Sequence, residues 1–263
     1  MGKIHFINIS EKKFLASTSP LFKMVSNDNI DNTIGHNPYL WFANPQKWKD
    51  PFERRFIEVR YLHNGKKYDY PLKNKVFCCC FSLTRITEAQ WYIYSKGGDS
   101  VCMNISRSQL IDELKQYIKN NPNDNIYIGR AEYQPTNIIT GSIHNNPIFK
   151  KKPFSLSDNE SLVKLLLLKR NAFIYEDELR IIIVKGDSCD GDGIKFSYRC
   201  ATTDLIQRII LSPMTNNSYC DMLENFLGTY YGFSPAYNSL GKPYKRVVQS
   251  KLYKYKHPTY VIV

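Results

Sequence analysis

No stretch of the 263-residue sequence approaches the roughly 18 consecutive apolar residues that a membrane-crossing helix needs. The start, Met1-Gly2-Lys3-Ile4-His5-Phe6, has no long apolar segment, which argues against a signal peptide. Phe6 stands where a myristoylation motif wants Ser or Thr. No Gly/Ser-rich or Pro-rich linker divides the chain, so residues 1–263 read as one domain. G-x-G-x-x-G and G-x-x-x-x-G-K-[ST] are both missing, which removes the standard phosphate-loop folds. G-x-S-x-G is missing, and the five His at 5, 36, 63, 144 and 257 form no H-E-x-x-H, leaving little support for a Ser-His hydrolase or a zinc enzyme. The seven Cys are an odd number without a C-x-x-C pair. They read as reduced thiols of a cytoplasmic protein. Cys78-Cys79-Cys80 lies in an apolar run, and a strand would turn neighbouring Cys to opposite faces, so no metal site is expected there.

What is present is positive charge and tyrosine. Lys+Arg number 36 against 24 Asp+Glu, a net charge of +12, which favours nucleic acid or nucleotides as partners. The 19 Tyr suit base stacking as well as core and strand positions. A protein partner or a second copy of the chain is also compatible with this composition. The 43% hydrophobic content is that of a globular fold.

The chain is organised around Tyr175-Glu176-Asp177-Glu178-Leu179-Arg180, which runs into Ile181-Ile182-Ile183-Val184. The second half reads as a buried strand, being short, β-branched and uncharged. Continued backwards, that strand would point Glu176, Glu178 and Arg180 to one side. Two carboxylates and a guanidinium on one face hold each other's charge states and present acceptors to a ligand. The bland alternative is a salt-bridged strand end.

Residues 1–38 read as a variable N-terminal segment, with a helix around 11–24 that Pro20 disturbs. Residues 39–252 read as the core and 253–263 as a tail. Strands are expected at 39–45, 76–81, 101–105, 126–134, 207–211 and 246–252, with a hairpin across Asn64-Gly65. A further hairpin is expected between 181–185 and 194–199 across the acidic 187–193 loop, whose spacing fails the calcium-loop pattern. Helices are expected over 88–95, ended by Gly97-Gly98, over 106–121, after Asp158, and over 219–231. Lys150-Lys151-Lys152, in a loop with His144, reads as a solvated basic run, with phosphate contact as the alternative. The irregular alternation predicts an α+β fold, a mixed, mostly antiparallel sheet flanked by helices.

Five segments in order resemble a bacterial family known as domain of unknown function 2971. They are Trp41-Phe42-Ala43-Asn44-Pro45 with Asp50-Pro51-Phe52-Glu53; Cys80-Phe81-Ser82; Trp91-Tyr92-Ile93-Tyr94 with Val101-Cys102-Met103; Lys169 with Tyr175-Glu176-Asp177-Glu178-Leu179-Arg180; and Ser212-Pro213 with Val247-Val248-Gln249-Ser250. Lys49, Ser100 and Phe173 depart from the family pattern. A looser likeness, in the order first-strand polar residue, F-S-x-[ST], E-x-E, is to ADP-ribosyltransferase toxins. That likeness implies an ADP-ribosyltransferase-like fold with NAD as cofactor. In it Glu178 and Glu176 are the catalytic carboxylates, and Ser82, Tyr94, Tyr175 and Arg180 help hold the cofactor. It offers no clear first-strand Arg or His; His36 and Arg54 are the candidates in this sequence.

Asp50, Glu53, Arg54 and Trp91 are expected at the same cleft, with Phe52 as a buried anchor and Trp91 turned to the core while Tyr94 reaches the cleft. Glu178 is expected to be more buried than Glu176. The expected function is an ADP-ribosyltransferase-like or NAD-handling effector of toxin or phage-defence type, acting on nucleic acid or protein. The alternatives are a non-catalytic nucleotide or nucleic-acid binding module, and a metal-dependent nuclease using Asp50, Glu53 and Glu178.

Overall fold

The computed structural model describes residues 2–63, 65–95, 100–141, 143, 146–149, 154–238 and 240–253. Gly97-Gly98, Lys150-Lys151-Lys152, His144, Asn64 and most of the tail lie outside these residues.

Among the described residues, ten strands form one mixed sheet. We label them β1 (Ile4–Ile7), β2 (Leu21–Ser26), β3 (Tyr39–Ala43), β4 (Val76–Ser82), β5 (Ser100–Ile105), β6 (Asn125–Arg130), β7 (Glu178–Val184), β8 (Gly193–Ser197), β9 (Ile206–Leu211) and β10 (Val247–Gln249). Their order is β1-β6-β7-β4-β2-β5-β9-β10. Only the two outermost pairs, β1-β6 and β9-β10, run parallel. The expected mixed, mostly antiparallel sheet with flanking helices is what the chain forms.

At β4 the sheet divides. Its Ser82 end pairs with β2 through Phe22, whereas Cys78 pairs with Ala43 of β3. β3 carries β8 on its other edge. The strand expected to fold back on β7 therefore joins β3 instead. The acidic 187–192 loop spans between sheet branches rather than turning a hairpin.

Alternation along β4 and β7 sorts their side chains between two cores. Phe77, Cys79, Phe81, Leu179, Ile181 and Ile183 join the core under the helix Arg107–Asn120. Val76, Cys78, Ile182 and Val184 join the core built on Leu162, Leu165 and Leu166. Glu178 and Arg180 fall on this second side by the same period of two.

Four local readings change. The segment expected to be variable contributes β1 and the central β2; its helix stops at Ala16, before Pro20. The Asp50-Pro51 step starts a helix, Pro51–Glu58, rather than fixing a turn. Asp50 caps it by accepting from Phe52 N at 2.9 Å, and Pro51 sits where its missing N–H is not needed. Phe56 and Ile57 anchor that helix, while Phe52 is only half-buried. The hairpin around 64 is short, Tyr61–His63 against Lys66–Tyr68, because the helix takes Phe56–Glu58.

Candidate functional site

β7 begins at Glu178, not at Glu176. Residues Asn171–Glu176 form a 3-10 turn, and Asp177 takes a left-handed conformation at φ 38°. Arg130 steadies that residue through a 2.7 Å ion pair with its carboxylate. The kink brings Glu176 back over the strand, so its carboxylate meets that of Glu178 by a turn rather than by strand alternation.

Lys169 is the common partner. Its ammonium lies 2.6 Å from Glu176 Oε2, 2.7 Å from Glu178 Oε2 and 3.4 Å from Glu53 Oε1. It comes from the short strand Leu168–Arg170, where the sequence reading placed a helix. Arg180 donates to Glu178 from Nε and Nη2 at 3.0 Å each, to Glu53 from Nη2, and to the Leu166 carbonyl from Nη1. Its guanidinium stacks 4.5 Å from the Trp48 ring. Three carboxylates therefore share two cations, and all five side chains are buried.

The shared partners fix the protonation states. Burial alone would raise the Glu178 carboxyl, but Arg180 and Lys169 outweigh it and hold it well below the usual carboxylate range. Burial raises Glu176, and Lys169 opposes that without cancelling it. Burial would lower Lys169, but Glu178, with Glu53 and Glu176, raises it, so it stays charged. The side chains of Glu176 and Glu178 are equally exposed, at 6%. Protein nonetheless encloses Glu178 more completely than Glu176, as expected, and the two acids also differ in their partners.

A cleft of about 630 Å³ opens above this network. Glu53, Lys169, Glu176 and Glu178 lie at its floor, and Trp48, Phe173 and Tyr94 line it. Tyr94 donates to Glu176 Oε1 at 2.7 Å, so its hydroxyl reaches the cleft as expected. Burial first, then the Glu176 carboxylate, raise that phenol. Trp91 does not line the cleft: it is buried against Phe22, Ile86 and Cys102.

Ser82 lines the cleft but donates to the Glu176 carbonyl at 2.6 Å and the Thr84 carbonyl at 3.0 Å. It braces the 176–178 turn. Tyr133, which the sequence reading did not single out, accepts from Glu178 N at 2.9 Å, and burial pushes its phenol up to about 12. Asp50 is taken by Arg170 at 3.0 Å, and that guanidinium lies over Phe52 and Phe173. Tyr175 packs at a tilt against Phe173, ring centres 6.3 Å apart, and does not line the cleft. Arg54 pairs with Glu58 along its own helix at 3.2 Å and does not line the cleft. His36 lines a separate pocket.

Sequence reasoning missed Lys23. It stands on β2 and lines the cleft. Its Nζ reaches the Cys80 carbonyl at 3.5 Å and lies 5.3 Å from the Phe81 ring centre. Among the described residues no carboxylate pairs with it. The signal available was a lone Lys in the apolar run Leu21-Phe22-Lys23-Met24-Val25.

Residues 90–181 match a family model described as Protein of unknown function (DUF2971), the family that the sequence motifs resemble. The matched segment contains Tyr94, Lys169, Glu176, Glu178 and Arg180, but not Lys23, Glu53 or Ser82. No curated protein and no solved structure matches the chain.

Proposed function

We propose that the chain is an ADP-ribosyltransferase-like effector that binds NAD in this cleft and transfers its ADP-ribose to nucleic acid or protein, as a toxin or phage-defence component. One observation carries the reading. Three neighbouring strands, β2, β4 and β7, bring Lys23, Ser82 and Glu178 around one cleft, in the order that the likeness requires. In this reading Lys23, on the second strand of the chain, stands in for the first-strand Arg or His for which His36 and Arg54 were the sequence candidates.

The charges suit the chemistry. Breaking the bond between ribose and nicotinamide leaves positive charge on the sugar carbon. The floor, with three carboxylates and two cations, has one formal negative charge in excess when all are ionised. Fixed charge of that sign, in a site partly closed to water, favours such a transition state. Lys23, without a carboxylate partner, is placed to meet the pyrophosphate, and Tyr94 and Phe173 offer rings to the nicotinamide. Glu178 is the fixed charge. Glu176, with its raised pKa, stands next to the acceptor.

The full pairing of Glu178 favours the second reading, a nucleotide-binding module without turnover. The nuclease reading is weaker, because Asp50, Glu53 and Glu178 already face Arg170, Arg180 and Lys169. Among the described residues no group of three His, Cys, Asp or Glu is set to hold a metal ion. Incubating the protein with NAD, with and without nucleic acid, and following nicotinamide release separates the first two readings; a metal-dependent cleavage assay tests the nuclease. Release that stops in folded Glu178→Gln supports the transferase. Saturable NAD binding without release supports the module.

A further inference from the structure

We infer that the outer face of the β3–β8 ribbon binds single-stranded nucleic acid, with Trp41 as the stacking platform and Lys195 and Arg199 on the flanking phosphates. This rests on residues outside the cleft and holds whatever the cleft does.

Alternation along β3 buries Leu40 and Phe42 and turns Tyr39 and Trp41 outward. Trp41 is 43% exposed. A Cβ built on Gly193 of the neighbouring strand would stand 2.5 Å from Trp41 Cζ2 and 2.6 Å from Cε2. The indole therefore packs against the glycine backbone while staying part-exposed to solvent. Tyr39 meets its edge at 6.5 Å. A fixed, half-exposed indole on a ribbon is a sequence-tolerant base platform, since every base has a π face.

One cation sits beside it, and a second lies two residues past the end of β8. Lys195 is the cross-strand partner of Trp41, and its ammonium lies 4.8 Å from the Tyr39 ring centre. Arg199 follows the end of β8, its backbone held where Glu113 accepts from Arg199 N at 3.0 Å and Cys200 N at 2.9 Å. Both side chains are exposed, and among the described residues neither forms an ion pair. Asp192, before β8, is bridged to Lys47 at 3.0 Å, and Asp190 precedes it. Lys47 neutralises Asp192, so the acid charge at that end comes from Asp190, away from Lys195. A duplex hides its base faces, so the platform selects single strands.

The test is fluorescence anisotropy of the full chain with a labelled short oligothymidylate, and with the same strand in a duplex, over a salt series. The expected result is tighter binding of the single strand and quenching of tryptophan emission. Trp41→Ala loses about fivefold or more in affinity. Lys195→Ala lowers the slope of log affinity against log salt by about one. Trp41→Leu, which still covers Gly193 but has no π face, gives the same loss should the alanine variant fold poorly. The inference is overturned by no single-strand binding, by equal affinity for the duplex, or by unchanged binding in Trp41→Leu and Lys195→Ala.

Discussion

Strand β7 has ion pairs at both extremities, buried at one end and half-buried at the other, and the two ends are built differently. Past its C-terminal end, Lys185 meets Asp124 at 2.7 Å. Asp124 also accepts from Tyr117 at 2.8 Å and from the Gly186 N–H at 2.9 Å. One cation serves one carboxylate, and neither group lines the cleft at the other end. At the N-terminal end three carboxylates share Lys169 and Arg180, and the cluster floors a cleft of about 630 Å³. A balanced pair that also satisfies backbone N–H groups closes a fold. An unbalanced cluster facing open volume stores a charge that a ligand can use.

The comparison is broken most severely by Arg180→Met. That change strands Glu178 and Glu53 on Lys169 alone and is expected to cost about 3–5 kcal/mol in denaturant unfolding. Lys185→Met, at the other end, leaves Asp124 two donors and should cost about 1 kcal/mol. Equal losses would mean that both ends are structural clamps.

Acid unfolding sharpens the contrast. The depressed Glu178 contributes stability that is fully present above its unfolded pKa of about 4.3 and is lost as pH falls towards its folded value. Glu176 is raised, so its contribution has the opposite sign: present below that pKa and lost as pH rises through the folded one. Melting temperature followed from about pH 3 to 7 should show a shallower acid limb in Glu178→Gln than in wild type, and no such flattening in Glu176→Gln. An unchanged acid limb in Glu178→Gln would show that Arg180 and Lys169 do not hold this acid as described.

The smallest effect expected is in Tyr94→Phe. One hydrogen bond to Glu176 is lost from a residue that is 45% exposed, for about 1 kcal/mol or less in stability. NAD affinity, measured by calorimetry, should fall more visibly than melting temperature. The reverse pattern would make Tyr94 a structural residue.

Local chemistry was legible where one residue decides it. Ser106 caps the helix Arg107–Asn120, and the helix after Asp158 starts where its carboxylate accepts from Ser161 N. The convergence of Glu53, Glu178 and Arg180 was also anticipated. What the sequence hid depends on chain reversal and pairing. Asp177, in the left-handed region, turns Glu176 back. Lys169 reads as the last position of a helical stripe, yet Leu168–Arg170 pairs with Glu132–Gln134. β8 has no local signal that it joins β3 rather than β7. β2 shows no alternation, because both of its faces are covered for part of its length.

The central claim is that the unbalanced end of β7 acts on a ligand and the balanced end does not. Nicotinamide release from NAD, measured beside circular dichroism for wild type, Glu178→Gln and Lys185→Met, tests it most directly. The account predicts release by wild type and Lys185→Met, and none by folded Glu178→Gln. Full release by folded Glu178→Gln would contradict it.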